Sequence, residues 1–574
     1  MQELNKINNP EDLKRMDMQE LRELSNEIRQ LLINKVSITG GHMGPNLGII
    51  EATIALHYVF NSPIDKIVFD VSHQCYTHKI LAGRKENYID KDKYNEVSGF
   101  TAPKESIHDI FQVGHTSTSV SLATGLAIGR NLTNKKENII AVIGDGSLSG
   151  GEAFEGLNNA ANLDSNLIII VNDNEMSIAE NQGGMYKNLK LLRDTRGTAK
   201  CNIFKSLGLD YIYVEEGNNV EVLIENFKKV KDINHPIVVH IHTLKGKGMK
   251  EYEEDKESGH YVSPKSSKIP NGETYGDIIA EYIKEKAKDT PVFAVTAATP
   301  KAVGLTKEFR DNVKENHYVD VGIAEEHAVA MISGAAKNGA KPIFVVASTF
   351  IQRAYDQLLQ DLALNNSPAT IVVSGGGLSS SDATHVGAFD IPLISNIPNM
   401  VYFAPTTKEE YIAMLDYSIS QNEHPVAVRV PSKVISTGIK DTTDYSELNK
   451  FKLARKGEKI AIIAAGSMYE LGERIANKLT NATLINPIFL TGLDLDLLND
   501  LKQNHNLVIT LEDGVLDGGF GEKISRFYSS SNMKVINYGG KKEFLDRVSM
   551  IEIINKNRLR EDLILEDITN CIGE

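Results

Sequence analysis

The sequence predicts an α/β protein of three doubly wound domains, each with helices on both faces of a mostly parallel sheet. Short apolar runs rich in isoleucine and valine alternate with segments of helical periodicity along almost the whole chain. Two polar segments interrupt this alternation and divide it into three series. A chain of 574 residues is also too long for one hydrophobic core, so several domains are expected.

The three series define the predicted domains as residues 1–260, 271–435 and 450–574. The first contains "KIVFDVS", "NIIAVIG", "NLIIIVND", "DYIYVEE" and "PIVVHIHT". The second contains "PVFAVTA", "HYVDVG", "PIFVVAST", "ATIVVSGGG", "MVYFAPT" and "PVAVRVP", and the third contains "KIAIIAAGS", "NATLINPIFL", "NLVITLED" and "MKVINYGG". Lys250–Glu273 is predicted to be an excursion that ends in a linker, and residues 441–458 are predicted to be a second linker.

The composition is that of an ordinary globular protein, with 41% hydrophobic and 24% charged residues. The net charge of −14 disfavours nucleic acid as a partner. The three cysteines lack C-x-x-C spacing, which fits a reducing compartment. The polar start "MQELNKINNPEDLKRM" and the lack of an apolar run of about 20 residues predict a cytoplasmic protein that does not enter a membrane.

Polar residues follow two consecutive apolar runs of the first series. "GDG" at 144–146 ends the first run, and "NDN" at 172–174 ends the second. The segment between them has helical spacing, so the unit is strand–helix–strand and its two strands are parallel. Their carboxyl ends share one edge of the sheet, where Asp145 and Asn174 are expected to offer oxygens to a hard cation such as Mg²⁺. The flanking glycines would let the backbone approach a phosphate.

A plainer interpretation is that Asp145 caps the following helix, but this leaves the second polar cluster without a purpose. Zinc is the rival use of the clustered histidines. However, His73 and His78 are not at H-E-x-x-H spacing, and no cysteine pair supports a zinc site.

Longer stretches carry a wider resemblance. The "GDG" followed one strand–helix–strand unit later by asparagine resembles the thiamine-diphosphate motif. More specific matches are "NLGIIEATIALHYVFNSPIDKIVFDVSHQCYTHKILAGR", "VGHTSTSVS", "NDNEMSIAEN", "VGIAEEHAV", "STFIQRAYDQLLQD" and "THVGAFD". In these the chain resembles the 1-deoxy-D-xylulose-5-phosphate synthase family of transketolase-like enzymes. The resemblance implies a thiamine-diphosphate-binding fold twice, followed by a C-terminal α/β domain.

The resemblance also implies the site residues. Mg²⁺ would be bound by Asp145, Asn174 and the backbone carbonyl of Met176, and Glu325 would activate the cofactor through its ring nitrogen. The residues implied in cofactor binding are His73, Gly114, His115, Thr116, Gly146, Ser147, Asn174, Met249, Glu325 and Phe350. Proton transfer is implied for His42, His73 and His385, and substrate binding for Arg353, Asp382, His385 and Arg429.

The reaction that this resemblance implies joins pyruvate to glyceraldehyde 3-phosphate, with loss of CO₂, and feeds isoprenoid, thiamine and pyridoxal biosynthesis. The cofactors would be thiamine diphosphate and Mg²⁺, and the assembly a homodimer whose first two domains build the site at their interface. Two alternatives stay open: a transketolase-like enzyme with a different donor or aldehyde acceptor, and a non-catalytic binding paralogue. The second predicts lost cofactor ligands, whereas Asp145, Asn174 and Glu325 are all present.

Departures from the family pattern concern the substrate more than the cofactor. Gly375 stands where the family has an arginine, which would bind the sugar phosphate through two hydrogen bonds. Ala347 replaces a tyrosine, and the loop 379–385 is one residue shorter than usual. Residues 181–207 are also shortened, and this segment is predicted to form a flexible cover over the active site. The acceptor aldehyde is therefore left open by the sequence.

Overall fold

The computed structural model describes residues 1–265, 272–314 and 316–573. The chain divides into two compact units. The first comprises Met1–Ile269 with Gly322–Ala324, and the second comprises Pro270–Val321 with Glu325–Glu574. Within the described ranges, no helix is both long enough and apolar enough to span a bilayer.

The first unit contains a five-stranded sheet in the order β1-β2-β3-β5-β4. All its neighbouring strands are parallel, and Ile140 of β2 lies opposite Ile168 of β3. Such sheets are covered on both faces, so their central strands are continuous apolar runs. The strands are β1 Lys66–Phe69, β2 Ile139–Gly144, β3 Leu167–Asp173, β4 Asp210–Val214 and β5 Pro236–His242.

Two helical layers cover this sheet, because alternate side chains of each strand point to opposite faces. Ile140 and Ile168 contribute to one core, and Ala141 and Ile169 to the other. The first core includes the helices Met18–Thr39, Ile50–Val59 and Val220–Val230. The second includes the helices Ser119–Leu132, Gly151–Ala160 and Gly184–Asp194.

The second unit contains two sheets. The first has the order β10-β11-β9-β8-β6-β7 and is all parallel. Its longest helices are Tyr275–Lys286, Glu325–Lys337 and Lys408–Ser420, with short helical segments at Ser348–Ile351, Gln352–Ala354 and Asp390–Ile394. Its strands are β6 Val292–Thr296, β7 Tyr318–Asp320, β8 Lys341–Ala347, β9 Thr370–Ser374, β10 Val401–Phe403 and β11 Val426–Arg429.

The other sheet of the second unit has the order β12-β14-β13-β15-β16. Its edge strand β12 is antiparallel to β14, and the remaining pairs are parallel. Its longest helices are Tyr469–Lys478, Leu495–Asn504, Phe520–Tyr528 and Glu561–Gly573. The strands are β12 Lys452–Arg455, β13 Lys459–Ala464, β14 Thr483–Asn486, β15 His505–Val515 and β16 Lys534–Gly540. The predicted three α/β sheets are therefore confirmed, while the domain boundaries stay predictions.

Both segments predicted to be linkers contain ordered structure. Lys452–Arg455, within the predicted linker 441–458, forms β12, a mostly exposed edge strand whose charged side chains obscure its pairing in the sequence. In the other segment, Lys250–Glu254 is a short helix, and Val262 pairs with Gly41 in an isolated bridge. Residues 266–271, where the predicted linker ends, lie outside the described residues.

Candidate active site

Asp145 and Asn174 lie side by side at the carboxyl ends of β2 and β3. The Asp145 amide donates to the Asn172 carbonyl at 3.1 Å, and the Asn174 amide lies 3.5 Å from Asp145 Oδ1. The side-chain oxygen of Asn174 is buried and has no hydrogen-bond partner in the described part of the chain. A buried acceptor without a donor, next to a carboxylate, fits a hard cation. Mg²⁺ binding by the two residues stays a prediction.

The capping interpretation of Asp145 is wrong. Gly150, not Asp145, stands at the N-cap of the helix Gly151–Ala160, and the Asp145 side chain makes no capping hydrogen bond to the preceding helical turn Gly146–Ser149. The carboxylate is instead buried and unusually basic. Burial first, and then the charge of Asp173, raise the pKa of Asp145 well above its ordinary value. A cation bound at this position would therefore stabilise the ionised carboxylate.

The loop after β2 has little space for larger side chains. A Cβ atom on Gly146 would lie 2.9 Å from Cα and Cβ of Ser177, so only glycine fits without displacing that backbone. The Ser147 carbonyl accepts a hydrogen bond from the Ser117 hydroxyl at 2.8 Å. Met176 pairs through its backbone with Glu180 in an isolated bridge. In this loop the backbone at Gly146 therefore lies close to that of Ser177, and a hydrogen bond fixes the position of the Ser147 carbonyl.

The predicted cofactor loop Gly114-His115-Thr116 leads directly into an anchored helix. Asp70, buried one residue after β1, accepts hydrogen bonds from the amides of Ser117 at 2.8 Å and Ser119 at 3.0 Å. Ser117 has a positive φ of 77°, an uncommon conformation for serine that these contacts hold in place. Asp70 is not among the residues predicted from the sequence, although it directly follows β1 as Asp145 directly follows β2.

His42 and His73 lie together, and a third histidine joins them. The ring centroids of His42 and His73 are 4.9 Å apart, and that of His260 lies 5.5 Å from the first and 5.4 Å from the second. Burial, with the nearby cation Lys245, holds the pKa of His260 well below its ordinary value, so the ring is neutral. His260 belongs to the polar segment predicted to be an excursion, and for that reason it is not among the site residues predicted from the sequence.

One asparagine fixes the backbone of both predicted histidines. Asn46 donates through Nδ2 to the carbonyls of His42 at 2.7 Å and His73 at 2.8 Å. Its Oδ1 accepts from the Tyr76 amide at 2.9 Å. Met249, also predicted at the cofactor, is partly buried against the core of the same unit. Its contact with a cofactor stays a prediction.

In the second unit, Glu325 begins the helix Glu325–Lys337 and is 3% exposed. Burial raises the pKa of Glu325 to about 7, against the opposing effect of Arg353, whose Nη1 lies 3.6 Å from the carboxylate. Glu325 Oε2 has no hydrogen-bond partner among the described residues. The side chain can therefore hold a proton near neutral pH, as its predicted role requires.

Three other predicted residues of this unit are brought together. The rings of Phe350 and His385 meet edge to face, with centroids 5.7 Å apart. His385 Nδ1 lies 3.5 Å from Asp382 and 2.8 Å from the Thr384 hydroxyl. Burial would raise the pKa of Asp382, but hydrogen bonds from His385 and Thr384 outweigh it and lower the pKa to about 2. Asp382 is therefore ionised beside His385.

Arg429, predicted to bind a substrate anion, lies in a buried ion cluster. Its guanidinium contacts Asp390 at 2.6 Å and Asp513 at 2.5 Å, and its side chain is 4% exposed. The two carboxylates more than balance its charge, and Asp513 comes from the third sheet. This contact joins the two sheets of the second unit. Substrate binding by Arg429 stays a prediction.

The structure also places Gly375 and Ala347, two of the departures from the family pattern that concern the substrate. Gly375 follows β9 with a positive φ of 64°, and a Cβ atom there would have no neighbour within 4 Å. Ala347 ends β8 opposite Ser374 of β9. Both positions lie at the carboxyl edge of their parallel sheet, where α/β proteins bind ligands.

Comparisons with known proteins agree with this arrangement. Residues 4–201 and 190–243 match the sequence profile described as 1-deoxy-D-xylulose-5-phosphate synthase. Residues 268–436 match the transketolase pyrimidine-binding domain, and residues 449–544 match the transketolase C-terminal domain. The fold and its strand-end polar groups thus define a transketolase-like protein of the class that includes thiamine-diphosphate enzymes.

Similarity to curated proteins extends along nearly the whole chain. The 1-deoxy-D-xylulose-5-phosphate synthase of Halothermothrix orenii is 37% identical over an alignment of 586 positions that covers 92% of this chain and 91% of the relative. That of Francisella philomiragia is 38% identical over an alignment of 614 positions that covers 99% of this chain and 98% of the relative. That of Caldanaerobacter subterraneus is 37% identical over an alignment of 620 positions that covers 98% of each chain. The chain belongs to the 1-deoxy-D-xylulose-5-phosphate synthase family.

Proposed function

We propose that this chain condenses pyruvate with glyceraldehyde 3-phosphate to give 1-deoxy-D-xylulose 5-phosphate and CO₂, a product that feeds isoprenoid biosynthesis. Similarity to curated synthases over at least nine-tenths of the chain supports the reaction. The structural observation that carries it is the buried, unpartnered side-chain oxygen of Asn174 next to Asp145. A homodimer in the cytoplasm is part of the proposal, and light scattering tests the dimer.

The cofactor of the proposal is thiamine diphosphate, held through Mg²⁺. Asp145, Asn174 and the backbone carbonyl of Met176 would bind the cation, and Gly146 and Ser147, which follow Asp145 in the chain, would contact the diphosphate. When bound, this cofactor supplies the electron sink that decarboxylation of a 2-oxo acid requires. The unpartnered oxygen of Asn174 and the basic carboxylate of Asp145 both fit a cation at this position.

The protein groups supply protons and orientation in this proposal. Glu325 would share a proton with the pyrimidine nitrogen, and its pKa of about 7 makes that proton available near neutral pH. His42, His73 and His385 would move protons at the substrate. The neutral ring of His260, packed against the first two, is an added candidate for this group.

A second candidate is a transketolase-like reaction with another donor or another aldehyde. The observation in its favour is the charge balance of the second unit: Gly375 brings no guanidinium, and Arg429 already contacts two aspartates. A phosphate dianion would have to compete with those carboxylates for the arginine. This candidate keeps the cofactor site and changes the donor or the acceptor.

Release of CO₂ from labelled pyruvate, with and without glyceraldehyde 3-phosphate, separates these candidates. The proposed reaction predicts release that is coupled to formation of the five-carbon phosphate. No release in either case would contradict it and favour a ketose donor. A panel of phosphorylated and free aldehydes then identifies the acceptor, and constant preference for free aldehydes would contradict a sugar-phosphate product. If calorimetry detects no Mg²⁺-dependent binding of thiamine diphosphate, the non-catalytic paralogue becomes the better interpretation.

A further inference from the structure

The shortened segment 181–207 is packed on the first unit, contrary to the predicted flexible cover. Gly184–Asp194 is a helix in which Leu189 and Leu192 are fully buried in the core beneath it. Ile203–Ser206 forms a second short helix, with Phe204 in the same core. These apolar contacts anchor the segment on the core of the first unit.

Polar side chains of the same segment contact the loop that follows β2. Asn181 donates through Nδ2 to Asp145 Oδ2 at 2.6 Å. The Tyr186 hydroxyl lies 3.1 Å from the Asp145 carbonyl and 3.2 Å from the Gly146 carbonyl, so it donates to this pair of oxygens. Both the side chain and the backbone of Asp145 are thereby fixed from one helix and the residues just before it.

Arg193, in the last turn of the helix, contacts the end of β3. Its Nη1 lies 2.5 Å from Asp173 Oδ2, and its Nη2 lies 3.4 Å from Glu175. Asp173 is fully buried immediately before Asn174. Its carboxylate also contacts His240 Nε2 at 2.9 Å and accepts from the Glu175 amide at 3.1 Å. Arg193 and His240 thereby hold the side chain of Asp173 from two sides, next to the backbone of Asn174.

We propose that Asn181, Tyr186 and Arg193 are positioning residues that hold the ends of β2 and β3 in their binding geometry before cation and cofactor arrive. The inference rests on the proposed function, because it takes Asp145 and Asn174 as cation ligands. Removing a residue that hydrogen-bonds to a metal-binding side chain and orients it typically weakens metal affinity about 10-fold to 100-fold. Because the two strand ends are already held in place, binding does not have to order them and its entropic cost is smaller.

Purely structural packing is the alternative role for this helix, and the variants are chosen to separate the two. Tyr186→Phe keeps the ring and removes only the hydroxyl. Arg193→Met removes the charge and keeps most of the side-chain length, and Arg193→Lys restores a cation. Lys190→Met is the matched control, because Lys190 is on the same helix, 66% exposed, and contacts only Asp194, at 2.8 Å, among the interactions described for it.

Calorimetric titration of thiamine diphosphate into the full-length apoprotein at saturating Mg²⁺ measures the effect, with circular dichroism as the check on folding. We expect Arg193→Met to weaken binding by about 10-fold or more and Tyr186→Phe by about 3-fold to 10-fold. Arg193→Lys should recover part of the loss, and Lys190→Met should bind as the wild type does. A matching titration of Mg²⁺ at fixed thiamine diphosphate should show the same order of variants.

Wild-type affinity in both Arg193→Met and Tyr186→Phe, with unchanged circular dichroism, would overturn the inference. An equal loss in all four variants would also overturn it, because the effect would then come from the stability of the helix. Failure of the proposed function looks different: the wild-type protein itself would bind no thiamine diphosphate with Mg²⁺. That result would remove the basis of both proposals.

Discussion

Replacement of Glu325 by Gln tests whether a buried, protonated carboxyl activates the cofactor. Burial raises the pKa of Glu325 to about 7 from an ordinary value of 4.5. The direction follows from burial, which disfavours the ionised form, so the protonated form persists to higher pH. With this pKa, the protonated fraction falls from about nine-tenths at pH 6 to about one-tenth at pH 8.

If cofactor binding requires the proton on Glu325, the affinity advantage of the wild type over Glu325→Gln should fall about tenfold between pH 6 and pH 8. If Glu325 had the ordinary pKa of a glutamate, this affinity advantage would fall about a hundredfold over the same pH range. The size of the fall therefore shows how far burial raises the pKa of Glu325. Both proteins keep Asp145, and their ratio therefore cancels the titration of the cation site.

Isothermal titration with thiamine diphosphate at saturating Mg²⁺, repeated at half-unit pH intervals, gives this ratio. Glutamine has nearly the same shape and cannot ionise, so it serves as the matched replacement. A ratio that does not change between pH 6 and pH 8 would refute the reasoning. Such a result would mean that Glu325 binds the cofactor in the same protonation state throughout.

Three further predictions concern the other contacts of the site. Arg429→Met should lower the free energy of unfolding of the second unit by about 3–5 kcal/mol, because it leaves the buried carboxylate of Asp390 and the partly buried carboxylate of Asp513 without their cation. Denaturant titration measures this, and an unchanged midpoint with weakened phosphate binding would contradict it. Gly375→Arg should fold with a backbone cost of about 1–2 kcal/mol from its positive φ, and it should lower KM for phosphorylated acceptors relative to free aldehydes. Asn46→Ala should lower kcat at least about tenfold, since it releases the backbone of both His42 and His73, and unchanged steady-state kinetics would contradict this.

Much of the fold could be predicted because parallel strands that are buried on both faces have continuous apolar sequences. The pairing of β2 with β3, and hence the meeting of Asp145 with Asn174, follows from the right-handed crossover that such a unit must make. β12 could not be predicted in this way. It is an edge strand with three exposed residues, so burial imposes no apolar pattern on it.

His260 illustrates a different limit of the sequence. The segment around it is polar and has no periodicity, which indicates a loop but does not say where the loop returns. Backbone pairing of Gly41 with Val262, and of Gly44 with Gly259, brings the segment against the loop that carries His42. Such non-local pairing has no local signal, so its effect on the site appears only in the folded chain.

The residues that balance the charges of the site could not be predicted from the sequence. An acid at the end of a strand can be recognised from its position, but the residue that balances its charge is fixed only by tertiary contacts. Asp173 is balanced by Arg193, 20 residues away, and Arg429 by Asp390 and Asp513, 39 and 84 residues away. Because leaving a buried charge without its partner costs several kcal/mol, these distant partners decide which strand-end acids stay ionised. The chemistry of a strand-end acid therefore depends on a second residue that no spacing rule identifies.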